Sequence, residues 1–371
     1  MRKIPLFAAG ALFASFASPQ PAQAADRIVR LYQSPRTAGM GGVRITTGFY
    51  EENFFGNPAR TADNPAWRLF LVDASAETNL PTIGKIGDVV AGADLIQSIS
   101  DTAGESLHAR GQTFLPGFYV PHVRDTKLSL AVALFLSSQL DMNLRKSYHL
   151  TPGLITDVGP VLSGAYSFLK DDALSVGLTV SALYRFSAEK NLSLVELLQG
   201  QSFGPTLDGA EGAHIELGLG GQYRLPKFLE HWDFDVALSL QNLFAGTYHQ
   251  IAFRPLTRAG PPRQQPRTLG IGVAARTPEL WKFTQGVIAL EFLEIGNSGG
   301  GAVFRHIHLG TEWRYRFLLL RLGLNQGYFG GGLGLDLTTW TADIATYGEE
   351  IGLNAGDLQD RRIAFRIGLQ I

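Results

Sequence analysis

The chain has 371 residues with 43 Gly, 18 Pro and no Cys, 32 Lys plus Arg against 33 Asp plus Glu, and 18% charged residues. Soluble domains usually hold about 25% charged residues, so the chain is charge-poor. Its 45% hydrophobic and 11% aromatic content excludes disorder, and a net charge of -1 leaves no basic excess for nucleic acid. Without Cys there is no disulfide framework, thiolate metal site, Cys nucleophile or lipid-modified Cys anchor.

In chain order, the first element is an address. Met1-Arg2-Lys3 supplies positive charge, Ile4 to Ala17 is apolar except for Ser15, and Pro19 and Pro21 precede Ala22-Gln23-Ala24. A charged start, a short apolar run and small residues at the cleavage site make a secretory signal over 1–24. A retained anchor would need roughly 20 apolar residues, and this run is shorter. The expected mature chain starts at Ala25, outside the cytoplasm.

Residues 25–65 alternate poorly. They hold Ser34-Pro35-Arg36-Thr37-Ala38-Gly39-Met40-Gly41-Gly42, Phe54-Phe55-Gly56-Asn57-Pro58-Ala59 and Asp63-Asn64-Pro65-Ala66. Gly and Asn-Pro steps mark tight turns and close backbone approach. The segment is long for a leader, and its expected use is a plug rather than a free periplasmic extension.

From residue 66 the period is two. Trp232, Phe234, Val236, Leu238 and Leu240 alternate with Asp233, Asp235, Ala237, Ser239 and Gln241, and Ile363, Phe365, Ile367, Leu369 and Ile371 with Ala364, Arg366, Gly368 and Gln370. Each such strand has one apolar and one wet face. A soluble sandwich alternates likewise, but many segments here exceed the roughly 5–6 residues of soluble strands and reach the 9–11 of a tilted bilayer crossing. The wet faces mix Gly, Ser, Thr, Glu and Arg, with 24 Arg against 8 Lys in the chain, which suits a confined lumen.

The expected fold is therefore all-β, a transmembrane antiparallel β-barrel over 66–371. Strands are expected near 66–79, 111–121, 127–145, 154–169, 172–188, 211–225, 232–248, 267–277, 283–295, 303–316, 318–326, 331–339, 341–350 and 360–371. Long connections (about 80–110, 146–153, 189–210, 249–266, 296–302, 327–330 and 351–359) alternate with short ones. Short turns are periplasmic and strand numbers even in such barrels. Splitting 331–350 at Trp340-Thr341 gives about 14 strands and places both chain ends in the periplasm. Trp232, Trp281, Trp340, Trp313, Tyr315 and Phe317 fall at short-turn ends, as interfacial girdles do.

Arg36-Thr37-Ala38-Gly39-Met40-Gly41-Gly42 followed by Asn57-Pro58-Ala59, ahead of about 14 strands, resembles the long-chain fatty-acid transporter superfamily of outer-membrane proteins. It also resembles the related barrels associated with gliding and type IX secretion. The resemblance covers the amino-terminal segment and the general architecture. It implies a hatch over 25–65 inside the barrel, with Asn57, Pro58 and Ala59 as hatch residues and Gly39, Gly41 and Gly42 in the turn before them. The chain departs at Ile371, where an assembly signal usually ends in an aromatic residue; Phe365 is the nearest substitute.

Within the first long connection, Ile86, Val89, Val90, Ala93, Ile96 and Ile99 recur at helical spacing over 84–103, and Gly104 stops the run. The helix either lines an apolar access site at Ile86, Val89, Val90 and Ile96 or caps the barrel mouth. Arg254, Arg258, Arg263 and Arg267 stand among four prolines in an outer loop, where a solvated loop is the default and lipopolysaccharide phosphates or anionic ligands are the alternatives.

No catalytic constellation emerges. His306 and His308 share a face with Glu312, but a metal needs three or four converging ligands. There is no G-x-S-x-G elbow, and the Gly-rich stretches Ser298–Gly301 and Phe329–Gly334 lack a phosphate loop's ending, reading as turn and loop material. No enzyme activity and no cofactor are expected. The expected partners are outer-membrane lipids and lipopolysaccharide, the barrel-assembly machinery and a small hydrophobic ligand. Two functions fit: a gated outer-membrane channel for small hydrophobic compounds, or a non-transporting barrel serving as a platform or assembly partner for secreted proteins.

Overall fold

The computed structural model describes residues 30–90, 106–144, 149–189, 192–193, 209–229, 232–245, 248–251, 261–279, 282–296, 303–351, 356 and 358–371. Its wall has fourteen strands: β1 (Arg68–Asn79), β2 (Ser106–Val120), β3 (Leu128–Leu144), β4 (His149–Phe168), β5 (Leu174–Glu189), β6 (Gly209–Leu229), β7 (Trp232–Gln241), β8 (Thr268–Arg276), β9 (Thr284–Ile295), β10 (Ile307–Tyr315), β11 (Leu318–Asn325), β12 (Tyr328–Asp336), β13 (Trp340–Glu350) and β14 (Gln359–Gln370). Each pairs antiparallel with its sequence neighbour, and β1 pairs with β14, with Ala76 opposite Phe365, so the ring closes. Two-residue pieces, Leu192–Ser193 and His249–Gln250, pair with β4 and β6 within the long connections.

Alternation decides which face is which. On β3, Leu130, Val132, Leu134 and Leu136 are exposed, while Ser129, Ala131, Ala133, Phe135 and Ser137 are buried. The same holds for Val176 and Leu178 on β5 against buried Ser175 and Thr179, and for Ile344 on β13 against buried Ala345. Apolar side chains thus face outward and polar ones inward, the inverse of a soluble sandwich and the pattern of a transmembrane barrel. Among the described residues no helix is long and apolar enough to cross a membrane. Trp67, Phe168, Phe317 and Trp340 are exposed at the short-turn end, and Phe244, Phe304 and Phe329 at the long-loop end. Trp281 lies outside the described residues.

Several boundaries differ from the sequence reading. β2 and β4 each begin five residues earlier than expected, because Ser106 to Ala109 pairs with Leu140 to Asn143, and His149 to Gly153 with β3, β5 or Leu192–Ser193. The expected loop 327–330 is a two-residue turn, Gln326-Gly327, both at positive φ. Phe329–Gly334 lies inside β12 rather than in a loop; its alternate glycines Gly330, Gly332 and Gly334 lie opposite Gly323, Arg321 and Leu319 of β11. Residues 337–339 make the turn expected at Trp340, which instead opens β13.

Residues 30–65 are almost wholly buried and bond to inward residues around the ring. Three short helices shape them: α1 (Pro35–Gly39), α2 (Glu52–Phe55) and a 3-10 turn, Pro58–Asp63. Arg30 pairs with Glu294 and Glu349 near the long-loop ends of β9 and β13, so the segment enters at that end and descends to β1. The two chain ends expected on one side thus lie at opposite mouths: β14 ends at the short-turn end and Arg30 sits at the long-loop end.

Candidate functional site: the lumen and its amino-terminal segment

Local sequence chemistry sets the segment's fold. Ser34 Oγ accepts the Thr37 N–H at 3.0 Å, and Pro35 starts α1 where no N–H is needed. Gly41 and Gly42, at φ 70° and 88°, reverse the chain after it. Asn57 Oδ1 accepts the Ala59 N–H at 3.0 Å, Pro58 opens the 3-10 turn, and Asn57 Nδ2 donates to Ile45 O at 2.9 Å and to Gly221 O on β6 at 3.3 Å. The Asn-Pro-Ala step is thus a cap, a helix start and a wall contact in three residues.

The segment meets the wall in three ways. Toward β9–β14 it is held by buried ion pairs. Arg36 forks onto Glu312 at 3.0 and 2.8 Å and reaches Glu52 at 2.7 Å. Glu312 also receives Arg321 at 2.6 Å, Arg321 reaches Asp343 at 2.5 Å, and Arg366 joins Asp73 at 2.7 Å and Glu51 at 2.8 Å. Glu291 gathers the N–H groups of Arg44, Ile45 and Thr46 at 2.8, 3.1 and 2.8 Å. Such charges are tolerated inside because each is paired.

Second, its turns rest on glycines. A β-carbon on Gly323 would lie 2.7 Å from Gly41 Cα, and one on Gly310 2.7 Å from Val43 Cγ2. Across the lumen, a β-carbon on Gly220 would lie 2.8 Å from Pro58 Cδ, and one on Gly177 would run into the Pro58–Ala59 peptide. Gly39 sits against Gly332, where its own β-carbon would be 3.1 Å from the Gly332 Cα.

Third, against β1–β3 the contact is aromatic. Tyr32, Tyr50, Phe54 and Phe55 of the segment interleave with Phe70, Phe114, Tyr119 and Phe135 of the wall. Ring centroids step from Phe55–Phe135 at 4.9 Å through Phe135–Phe114 at 5.1 Å, Phe114–Phe54 at 5.7 Å and Phe54–Tyr119 at 5.8 Å to Tyr119–Tyr50 at 5.5 Å. These contacts are tilted or edge-on, with Phe114–Phe54 stacked, arrangements that suit the aromatic quadrupole. Beside this seam the β1–β2 ladder skips from Phe70–Gly117 to Asp73–Phe114, and Pro116 in the gap has no N–H to give.

Cavities lie at both ends of the seam. A space of ≈ 40 Å³ at the long-loop end touches Tyr32, Phe55, Arg44 and Gln241. One of ≈ 390 Å³ at the short-turn end is lined by Phe49, Arg60, Asp63, His122, Arg224 and Arg276 among others. Burial alone would raise the Asp63 carboxyl, but the guanidinium charges of Arg60, Arg224 and Arg276 outweigh it and hold the group below the ordinary carboxylate value.

Of the residues singled out from sequence, Gly39, Gly41, Gly42, Asn57, Pro58 and Ala59 all sit in this interface. Ile86 is on α3 (Leu80–Val90), a helix capped by Asn79, in a stripe with Leu80 and Ile83 that is exposed. The side chains of Val89 and Val90, and Ile96 altogether, lie outside the described residues, as do Arg254 and Arg258. Arg267 donates to Leu243 O at 3.1 Å, within its own loop. His306, His308 and Glu312 do not converge: His306 bonds to Leu293 O at 2.8 Å, His308 to Gly41 O at 2.8 Å, and Glu312 takes Arg36. No group of residues fit to hold a metal occurs among the described residues.

Sequence reasoning missed the glycine seats, the Arg36–Glu312–Arg321 chain and the aromatic seam. One signal for the seam was present. Leu128 to Leu136 loses its polar alternation because Ala131, Ala133 and Phe135 are apolar on the lumen side too.

No family model and no curated protein matches this sequence. In fold the chain is similar to the toluene transporter TbuX of Ralstonia pickettii, at 13% identity and TM-score 0.49 over 91% of this chain and 97% of that one. It is also similar to the toluene transporter TodX of Pseudomonas putida, at 10% identity and TM-score 0.41 over 93% and 99%. A further likeness is to the transport unit of the autotransporter AIDA-I from Escherichia coli, at 10% identity and TM-score 0.42 over 82% and 89%.

Proposed function

We propose that the protein is a gated outer-membrane channel for small hydrophobic compounds, exported by a cleaved leader over 1–24, with residues 25–65 as its hatch. The observation that carries this reading is the aromatic seam between hatch and β1–β3. Separating the hatch from β9–β14 strips partners from buried charges, at about 3–5 kcal/mol for each broken pair. Along the seam, an apolar solute replaces apolar contacts with its own, so displacement there costs least. The two cavities mark its ends, and Phe49, beneath the guanidinium groups of Arg36 and Arg60 at 5.1 and 5.4 Å, leads into the larger one.

The test is planar-bilayer recording of the intact protein beside a variant lacking residues 26–60. The intact protein should conduct ions weakly, and the deletion should open a large steady conductance. Equal conductance in the two would remove the channel reading and favour the platform reading. Because the deleted chain leaves buried wall charges unpaired, Gly177→Val serves as a second variant: it crowds Pro58 and Ala59 within a full-length chain and should also raise conductance.

A further inference from the structure

Wall height varies sharply around the ring. β2 to β6 run 15, 17, 20, 16 and 21 residues, whereas β10, β11 and β12 run 9, 8 and 9. Two-residue turns close both ends of β11, Arg316-Phe317 and Gln326-Gly327. At about 3.3 Å per residue and a tilt near 40°, eight residues rise ~20 Å, less than the ~25 Å apolar band of such barrels. The tall side behaves differently. The exposed apolar series on β3 runs unbroken to Leu136, is interrupted at Ser138, which meets Thr156 at 3.1 Å, and returns once at Leu140 before the strand ends at Leu144.

Side chains at the low rim match its height. Phe329 at the rim is 76% exposed, with Leu322 below it on the outward face of β11 at 67%, and Val303 and Phe304, just before β10, are 63% and 65% exposed. The turn's amide side chains are withdrawn. Asn325 and Gln326 are buried; Asn325 Nδ2 donates to Gly348 O at 2.7 Å, and Gln326 Oε1 accepts the Glu350 N–H at 2.8 Å. A hairpin tip standing in water would turn these amides outward and its rings inward.

We propose that the long-loop rim over β10–β12 does not project from the membrane but lies at the acyl–headgroup boundary of the outer leaflet. Lipid acyl chains pack there directly on Leu322, Phe329, Val303 and Phe304. The rim of β2–β6 stands well clear of the same boundary, so the barrel mouth is bevelled. Lipid is the occupant because the exposed residues continue the outward apolar face of β10–β12 without a break, and an interfacial ring is where such a face ends.

The chain has no cysteine, so single-site labelling is direct. Phe329→Cys is labelled with a nitroxide in vesicles of phosphatidylcholine and phosphatidylglycerol, and its collisions with oxygen and with a water-soluble nickel chelate are measured by EPR. Leu134→Cys gives the mid-band reference and Gln264→Cys, an exposed polar position in the loop before β8, the aqueous one. The expected oxygen-to-nickel ratio at 329 is several-fold above that at 264 and below that at 134. Nickel access equal to that at 264 would place the rim in water and overturn the proposal. Suppression of both collisions would put a second copy of the chain on this face and overturn it equally. Phe304→Cys repeats the measurement should the first variant fold poorly, as judged by heat-modified gel mobility.

Discussion

Arg36 is the residue on which the charged side of the lumen turns. Its guanidinium serves Glu312 on β10, Glu52 of its own segment and the Thr47 carbonyl at 3.1 Å. Arg36→Met keeps the length and removes the charge, leaving Glu52 without a cation and Glu312 with Arg321 alone. Losing one partner of a buried pair costs about 3–5 kcal/mol. Because Met satisfies none of the stranded carboxylates, the variant should lie at the upper end of that range. The expected result is a wall that still assembles, with residues 30–65 cut by added protease far faster than in the parent. Parental resistance would show that the ion pairs do not hold the segment. Glu312 was visible in the sequence as a wet-face residue beside His306 and His308, but its partner lies 276 positions away. Spacing along one strand cannot reveal a ligand that comes from the lumen.

At the scale of elements, the strands were legible because a barrel wall obeys one rule, alternation between lipid and lumen, at every point. Where lumen packing supersedes that rule, the reading failed. Phe329 and Gly330 fell in the expected loop 327–330, ahead of the expected strand at 331–339, yet β12 takes in both, and its glycines give the α1 turn bare backbone: Gly39 faces Gly332, and Gly330 lies beneath the Ala38 carbonyl. The seats at Gly177 and Gly220 were equally silent, since a lone glycine on a wet face looks like any small residue. Their role is directly testable. Gly177→Ala places a methyl group in the Pro58–Ala59 peptide, and overpacking of that kind costs about 1–3 kcal/mol. β5 can keep its pairing, so the cost should fall on the 3-10 turn. Conductance should rise by discrete openings with unchanged thermal stability of the wall. At Gly221, next to the Gly220 seat but facing open space, alanine should change neither. Equal behaviour of the two variants would refute the idea of a seat.

For the molecule as a whole, the arrangement rests on which side of the wall meets hydrocarbon. The sequence carried this strongly, because segments such as 232–241 and 363–371 each set one apolar face against one wet face, and the structure closes the ring through Ala76 and Phe365. It carried the interior weakly, because an irregular chain packed in a lumen has no period of its own. A charge scan across the wall separates the two faces. Leu134 sits in the middle of the exposed β3 series, between Val132 and Leu136, so Leu134→Arg should cost ~2–4 kcal/mol of folding free energy in lipid vesicles, as measured at the midplane of such barrels. Ser138→Arg, four residues toward the long-loop end, where Ser138 and Thr156 interrupt the outward apolar face, should cost ~0–1 kcal/mol. Were the exposed leucines instead the face of a water-soluble ring, Leu134→Arg would be neutral and the chain would refold without lipid. A steep loss at 134 and near-indifference at 138, read from urea titrations in vesicles, fixes the upper edge of the hydrocarbon on the tall side of the bevel.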